Sequence, residues 1–132
     1  IRDDTPQKSG RHIRSFLLTL QVWVVHLRNG NIGLETLLNE GHVVCHPFIV
    51  GELACGNLKN RAEIFSLLQA LPMATQVEHE EVMKFIEDHT FMGKGLGYID
   101  IHLIASAILT EIPVWTVDKK LNEISSKLGL GY

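Results

Sequence analysis

The sequence contains no apolar run as long as the ~20 residues that a membrane-spanning helix requires, although 45% of its 132 residues are hydrophobic. Neither sign of charge dominates, because 12 Lys and Arg stand against 15 Asp and Glu and give a net charge of −3. The composition therefore gives no general attraction to nucleic acid, and any such binding must rest on local basic patches or on a metal ion. We expect one ordinary globular domain with no membrane partner.

Cysteine is scarce, since only Cys45 and Cys55 are present and they do not form a CxxC pair. We expect both to be reduced core residues of a cytosolic protein, which makes the cytoplasm the expected location. A disulfide or a metal-binding role for the two thiols is the alternative.

Several catalytic and binding motifs are also missing. His79 and Glu80 begin an HExxH zinc motif, but Met83 occupies the position of its second histidine. A GxGxxG phosphate loop that began at Gly93 would need its third glycine where Tyr98 stands. No GK[ST] element, Ser-His-Asp set or nucleophilic cysteine arrangement is identifiable.

Short apolar runs of strand length alternate with amphipathic stretches of helix length along the chain. The runs predict strands over residues 16–20, 43–45, 74–77 and 113–117. Residues 22–27 fit either a short helix or a continued strand. The other periodic stretches predict helices over residues 32–40, 47–56, 58–71, 79–89, 98–109 and 119–129. This alternation indicates an α/β fold with a mostly parallel sheet.

The first 15 residues are polar, carry Pro6 and Gly10, and lack the apolar centre of a signal peptide. We expect residues 1–15 to be a flexible or non-native extension. Residues 16–132 contain no internal repeat, no low-complexity segment and no linker, so they are expected to form a single domain.

Three carboxylates lie far apart in the sequence, each beside strongly apolar residues: Glu52 in PFIVGEL, Asp100 in GYIDIHLIASAIL and Asp118 in VWTVDKKL. Buried charges are rare without a partner or a metal ion. Acids that meet from separate segments repel one another unless a cation lies between them, and hard divalent cations such as Mg²⁺ take oxygen ligands. The pattern therefore indicates a divalent-metal site, which can activate water and stabilise charge on a phosphoryl group.

Each acid also has a simpler interpretation. Asp118 directly follows a predicted strand, where ligands bind in open α/β sheets, but Asp is equally a favoured helix N-cap residue. Asp100 falls in the first turn of an apolar helix, where the helix dipole favours a carboxylate. Glu52 fits a solvated helix position. Spacing alone leaves both interpretations open for all three.

Basic residues occur near these acids in the sequence. Most such charges are simply solvated, but those close to a metal site can hold the backbone of a polyanion. The candidates are Lys59, Arg61, Lys94, Lys119 and Lys120.

From Gln21 to its C-terminus, the chain resembles PIN-domain ribonucleases, in particular the VapC-type toxins of bacterial type II toxin–antitoxin modules. The matching stretches are QVWVVHLRNG, HPFIVGELACG, the glycine loop with GYIDIHLIASAIL, and VWTVDKKLNEISSKLGL. The resemblance implies a PIN-like three-layer α/β/α sandwich with a mostly parallel central sheet and with acids grouped at the carboxyl ends of the strands.

The same resemblance implies an endoribonuclease toxin that depends on Mg²⁺ or Mn²⁺ and cleaves RNA phosphodiesters. Glu52, Asp100 and Asp118 match three acidic positions of the family and are implied to be its catalytic and metal-binding residues. Thr116 matches a frequent polar neighbour of that site. A homodimer and inhibition by a cognate antitoxin protein are also implied.

The chain departs from the family at the first strand, where Thr19 in LLTLQVW stands in place of the usual first metal-binding Asp. Thr19 can offer a hydroxyl to a metal or its water, but it brings no charge. Weaker metal binding, impaired positioning of the attacking water and a loss of several kcal/mol of transition-state stabilisation are expected. The alternative function is a catalytically silent PIN module that binds an antitoxin or RNA. A third hypothesis is an α/β interaction domain without a metal site.

The whole mismatch lies upstream of Gln21. We therefore hypothesise that residues 1–20 are altered relative to a functional ancestor, by a frame change, a cloning artefact or decay. Sequencing of the native gene tests this hypothesis, because an unchanged Thr19 in the natural reading frame removes the artefact explanation.

Overall fold

A computed structural model of the protein describes residues 15–29 and 32–131, except for the side chains of residues 29 and 32–34. The predicted extension over residues 1–15 therefore lies, apart from Ser15, outside the described residues. Within the described ranges, no helix is long and apolar enough to cross a membrane.

Helices and three short strands alternate along the described chain. In chain order the elements are β1 (Phe16–Leu18), α1 (Leu20–Asn29), α2 (Ile32–Asn39), β2 (Val43–Val44), α3 (Pro47–Cys55), α4 (Arg61–Ala70), α5 (His79–His89), α6 (Tyr98–Thr110), β3 (Val114–Trp115) and α7 (Lys119–Lys127). Residues 22–27, which fitted either a helix or a strand, are helical and belong to α1.

The sheet has the order β2-β1-β3, and both pairings of the central strand are parallel. Leu17 pairs with Val44 on one side and with Val114 on the other. Parallel neighbours require long crossover connections, and helices provide them here. The carboxyl ends of all three strands consequently lie at one edge of the sheet.

Both faces of this sheet are covered. Leu17 and Leu18 are adjacent in β1 and are each 0% exposed, although successive side chains of a strand point to opposite faces. Val43 and Val44 in β2 are likewise both buried. The fold is therefore a three-layer α/β/α sandwich around a parallel sheet, which confirms the predicted PIN-like architecture.

Helix α6 is the most deeply buried helix among those described. Seven consecutive residues, Ile101 to Ala107, are buried in it, and a helix that is apolar on all sides belongs inside a protein. Leu103 and Ile104 are almost fully buried, and truncation of such a side chain to Ala costs roughly 2–5 kcal/mol. The core thus fixes α6, and with it the position of Asp100 near its N-terminus.

The prediction of a strand over residues 74–77 is wrong. Only Met73 forms a bridge, to Cys45, and the segment shares two backbone hydrogen bonds with that part of the sheet, Cys45 N to Pro72 O and Ala74 N to Cys45 O. The chain then turns away, because the next amide, that of Thr75, donates to the hydroxyl of Thr110 at the end of α6. Two hydrogen bonds do not continue into a ladder.

The prediction that both cysteines are core residues is correct for Cys45 and wrong for Cys55. Cys45 is 0% exposed, and burial raises the pKa of its thiol to about 11, so the thiol stays protonated. Cys55 is the last residue of α3 and is exposed, because the chain leaves the core where that helix ends. Both thiols are free.

Candidate active site

The structure brings the three candidate acids to one cleft at the carboxyl edge of the sheet. This cleft, about 620 Å³ in volume, is lined among others by Glu52, Asp100, Asp118, Thr19 and Thr116. All five residues proposed from the sequence as catalytic, metal-binding or accessory therefore line the same cleft. We call this region the carboxylate cleft.

The strand register explains why the two threonines are neighbours. Leu18 and Trp115 are paired at the ends of β1 and β3, so the next residue of each strand, Thr19 or Thr116, lies at the mouth of the sheet. The backbone N–H of Thr19 donates to Trp115 O at 3.1 Å, which extends the ladder by one bond. Ligand sites in open parallel sheets lie outside this edge.

Asp118 is both the N-cap of a helix and a residue that lines the cleft. It is the N-cap of α7, where its Oδ1 accepts a hydrogen bond from the backbone N–H of Leu121 at 2.9 Å. Its own N–H donates to the hydroxyl of Thr116 at 3.0 Å. The cap uses one carboxylate oxygen, and the side chain still lines the cleft, so the N-cap interpretation does not compete with a functional one.

Asp100 is held in a similar way at the start of α6. Its Oδ2 accepts a hydrogen bond from the backbone N–H of Gly97, the N-cap residue, at 3.2 Å. The side chain is half-buried in the first helical turn, where the helix dipole favours a negative charge. Asp100 and Asp118 are therefore both oriented by backbone groups before any ligand is present.

Glu52 approaches from α3, whose first turn is fixed by His46. The His46 Nδ1 accepts a hydrogen bond from the backbone N–H of Phe48 at 3.0 Å, and Pro47 occupies the first turn, where its missing N–H costs nothing. The other ring nitrogen, Nε2, lies 3.1 Å from Ser106 Oγ in α6. Because Nδ1 accepts, the neutral ring carries its proton on Nε2 and donates to Ser106.

This buried hydrogen bond joins the helix that carries Glu52 to the helix that carries Asp100. His46 and Ser106 are both 0% exposed. Burial, with a smaller contribution from His102, lowers the pKa of His46 to about 4, so the ring stays neutral near pH 7. This link was not predicted from the sequence, although a histidine directly before a helix-starting proline is a visible signal for a cap.

The carboxylate cleft carries uncompensated negative charge. In the described part of the chain, no Lys or Arg lies within ion-pair distance of Glu52, Asp100 or Asp118, whereas Lys84 and Asp88 do form such a pair. Carboxylates that share a site without a basic partner attract a cation. Backbone N–H groups engage one oxygen of Asp118 and one of Asp100, and no basic side chain in the described chain neutralises the three acids.

The oxygen donors of the cleft fit Mg²⁺ or Mn²⁺ in type. Carboxylates and hydroxyls are hard ligands, and Mg²⁺ is usually held through one or two carboxylates together with several waters. No three His, Cys, Asp or Glu side chains among residues 15–29 and 32–131 form a group that encloses an ion. The donor set thus suits a hydrated ion held by part of the carboxylate group.

Thr19 is committed to the backbone in this structure. Its side chain is buried, and the hydroxyl donates to Trp115 O at 3.3 Å, which leaves only its lone pairs for the cleft. β1 nevertheless forms normally as the central strand. The departure from the family pattern therefore changes the charge of the cleft without disturbing the sheet.

The candidate basic residues divide into two groups. Arg61 caps the end of α3 by donating to Ala54 O at 2.8 Å and to Gly56 O at 3.2 Å, so its role is structural. Lys59 and Lys119 are exposed and do not line the carboxylate cleft. Lys94 and Lys120 line a second cleft, which is described below.

Fold and cleft together define a class: a PIN-like α/β/α domain with a carboxylate-lined cleft at the carboxyl ends of its strands. No family model matches the chain. Two curated relatives do, both named Ribonuclease VapC32 and both from Mycobacterium tuberculosis, one from strain CDC 1551 / Oshkosh and one from strain H37Rv. Each is 34% identical over 115 residues, covering 86% of this chain and 93% of the relative. The chain belongs to the VapC-type family of PIN-domain ribonuclease toxins.

Proposed function

We propose that this protein is a toxin that acts as a divalent-metal-dependent endoribonuclease, with Mg²⁺ or Mn²⁺ as the cofactor and Glu52, Asp100 and Asp118 as the catalytic and metal-binding residues. The observation that carries the proposal is the convergence of these three acids on one cleft without a basic partner in the described chain. The name of the curated relatives, Ribonuclease VapC32, supports RNA cleavage as the activity.

The protein's own residues prepare the site before substrate binds. The backbone N–H groups of Leu121 and Gly97 fix one oxygen of Asp118 and one of Asp100, so each carboxylate is positioned without a conformational search. The His46–Ser106 hydrogen bond holds the Glu52 helix against α6. When bound by these acids, a divalent ion supplies charge neutralisation at the phosphodiester and activation of the attacking water.

Thr19 is proposed to reduce this activity. It contributes no negative charge where the family pattern has an acid, and its hydroxyl proton is used by Trp115 O. Metal affinity and the positioning of water are expected to be weaker than in a chain with Asp at this position. Thr116 acts as an accessory residue, because its hydroxyl fixes the backbone of Asp118.

The partners proposed for the protein follow from its family. They are an RNA substrate, a cognate antitoxin protein that inhibits the toxin, and a second copy of the chain in a homodimer. The proposed location is the cytoplasm, where the RNA substrate is found. Size-exclusion chromatography with light scattering tests the homodimer, since a monomeric mass at working concentrations contradicts it.

A metal-dependent cleavage assay tests the proposed function directly. The protein and its Asp100→Asn variant are incubated with a structured RNA, with Mg²⁺ or Mn²⁺ and with EDTA. Cleavage that requires the metal and is lost in the variant supports the enzyme. The Glu87→Gln variant, which removes an exposed acid far from the cleft in α5, serves as the control. Cleavage that persists in Asp100→Asn or in EDTA contradicts the proposal.

A second candidate function is a catalytically silent PIN module that binds RNA or an antitoxin. The observations that favour it are the neutral Thr19 and the absence, in the described residues, of a closed three-ligand group. This candidate predicts RNA binding without cleavage at any metal concentration, in the parent chain and in its Thr19→Asp variant. Cleavage by the parent rules it out.

A further inference from the structure

A second cleft, about 390 Å³ in volume, lies beside α7 and has the opposite charge. It is lined by Lys94, Lys120 and Lys127, together with His89 and one acid, Glu123. None of the three lysines forms an ion pair within residues 15–29 and 32–131, in contrast to Lys84, which pairs with Asp88. We call this region the lysine cleft.

The two clefts share the same two walls. The loop over residues 91–97 contributes Gly97 to the carboxylate cleft and Lys94 to the lysine cleft. Helix α7 begins at Asp118, which lines the first cleft, and places Lys120 and Lys127 along the second. The two clefts therefore adjoin the same loop and helix.

The side chain of Lys120 lies against Gly95 in the glycine loop. A Cβ added to Gly95 would stand 2.8 Å from Lys120 Nζ and 3.1 Å from its Cδ. The φ of Gly95 is +81°, a backbone conformation that residues with a side chain rarely adopt. The positive φ favours glycine at this position, and the end of the Lys120 side chain packs over it.

The remaining wall is formed by packed aromatic rings. The rings of His89 and Phe91 are stacked with centroids 5.3 Å apart and an interplanar angle of 12°, and Phe85 contacts both edge-on. Phe91 is buried, whereas His89 is exposed. This arrangement presents the imidazole of His89 beside the lysines as a further hydrogen-bonding group.

The two clefts differ in how well their charges suit RNA. RNA is a uniform polyanion, and the cleft that we propose to cleave it carries three carboxylates and no basic partner in the described chain. The net charge of −3 gives no general attraction. The divalent ion proposed for the carboxylate cleft neutralises charge only there, so a cationic surface beside it favours binding of the flanking RNA. The lysine cleft is such a surface: it is concave, and its lysines form no ion pair in the described chain.

We propose that the lysine cleft is a subsite that binds a backbone phosphate of the RNA, adjacent to the nucleotide held in the carboxylate cleft. The proposal rests on the proposed ribonuclease function and assigns to Lys94, Lys120 and Lys127 the positioning of the substrate chain. Contacts of this kind set the register of a nucleic acid without reading its bases.

RNA binding in EDTA tests the subsite separately from catalysis. The anisotropy of a fluorescein-labelled, single-stranded RNA oligonucleotide of mixed sequence is measured against protein concentration at several salt concentrations. The variant is Lys120→Gln with Lys127→Gln, and the control is Arg28→Gln with Lys84→Gln, which changes the net charge equally away from both clefts. The Lys120→Arg/Lys127→Arg variant keeps the charge.

The subsite predicts that the double Gln variant binds the RNA about tenfold more weakly at low salt. The slope of log K against log salt becomes shallower by about 0.7 for each lost phosphate contact, so by about 1.4 for two. The Arg variant and the Arg28/Lys84 control retain the parent affinity. Circular dichroism melting shows whether all variants are folded. If the double Gln variant is not, the single Lys127→Gln variant carries the test, with an expected decrease in slope of about 0.7.

Different results overturn the two proposals. If the parent cleaves RNA with Mg²⁺ and the double Gln variant binds with the parent affinity and salt slope, the subsite is wrong and the nuclease stands. If the Gln variant binds RNA normally but loses an acidic protein partner, the cleft is a protein-docking site and the subsite is also wrong. If the parent neither binds nor cleaves RNA, both proposals fall.

Discussion

The carboxylate cleft and the lysine cleft share a loop and a helix but hold their charged groups in different ways. Asp100 and Asp118 are each fixed by a backbone N–H at about 3 Å. The lysines of the second cleft form no ion pair in the described chain, and the Lys120 side chain packs against Gly95. The difference follows from the tasks proposed, since metal chemistry requires fixed oxygens, whereas a phosphate needs only a nearby positive charge.

The contrast predicts that changes in the carboxylate cleft affect the rate of cleavage, and changes in the lysine cleft affect affinity and its salt dependence. Cleavage and binding are therefore the two measurements that separate the regions. A substitution that changes the cleavage rate and the RNA affinity by the same factor contradicts this separation.

The largest effect is expected for Asp118→Asn. Asn is as good an N-cap as Asp, so the hydrogen bond to Leu121 and the stability of α7 are retained while the charge is lost. Cleavage should fall by roughly 10²–10³-fold, the effect of removing one group that stabilises transition-state charge. The rate is measured in whichever of the parent and the Thr19→Asp form cleaves RNA. An unchanged rate shows that Asp118 is only a cap.

A gain of comparable size is expected for Thr19→Asp. The new carboxylate supplies the missing acid, and a gain of about 2–3 kcal/mol in transition-state stabilisation corresponds to a rate increase of roughly a hundredfold. The lost hydrogen bond to Trp115 O lowers stability by about 1 kcal/mol. Cleavage rate and growth inhibition on expression are the measurements.

The matched control for this change is Thr19→Asn, because Asn has nearly the same size and shape as Asp but no charge. It should show no gain in rate. An increase in both variants attributes the effect to side-chain shape, and no activity in any of the three forms favours the silent binding module.

Ser106→Ala should weaken the contact between α3 and α6, the helices that carry Glu52 and Asp100. It leaves the buried Nε2–H of His46 without its partner, at a cost of about 1–3 kcal/mol in the free energy of unfolding. Because this bond joins the Glu52 helix to α6, cleavage should decrease while RNA binding in EDTA stays at the parent level. Urea denaturation measures the stability, and Ser126→Ala, at an exposed position in α7, is the control. A proportional loss of RNA affinity contradicts the separation of the two regions.

Acidification should give the smallest effect, a loss of stability that originates at His46 beside the Glu52 helix. The pKa of His46 is about 4 in the folded protein and 6.5 in its ordinary state, so the unfolded chain binds the proton first as the pH falls. The stability that neutral His46 provides is complete above about pH 6.5 and is lost progressively down to about pH 4. Burial also lowers the pKa of His102, which acts in the same direction.

Urea midpoints measured between about pH 7 and pH 5 test this dependence. The His46→Asn variant keeps an N-cap acceptor for Phe48 but cannot titrate, so its midpoints should change less with pH than those of the parent. An equal change in both chains assigns the pH dependence to other groups.

The sequence predicted the helices better than the strands, for a physical reason. The bounds of α5 match the predicted residues 79–89, because Val82, Phe85 and Ile86 mark its inner face locally. A strand is defined by its partner, and within residues 74–77 only Ala74 gained a backbone hydrogen bond to the sheet, to Cys45 O. Such long-range pairing is absent from a local pattern.

Some residues of the candidate site could also be predicted from local sequence, and others could not. The three acids were recognisable because each stood beside an apolar segment, and they do line one cleft. The His46–Ser106 hydrogen bond was not recognisable from the sequence, because its partners are 60 residues apart. Lys127 was also overlooked, although it follows Lys120 by seven residues, the spacing that places two side chains on one face of a helix.

The parallel register of β1 between β2 and β3 has a consequence for the order in which the protein is made. The carboxylate cleft needs Thr19 from the first strand and Asp118 after the last, and β1 finds its second neighbour only when β3 has emerged from the ribosome. A nascent chain that ends before residue 114 contains Glu52 and Asp100 but no assembled site. The cleft is therefore completed only late in translation, after most of the chain has emerged.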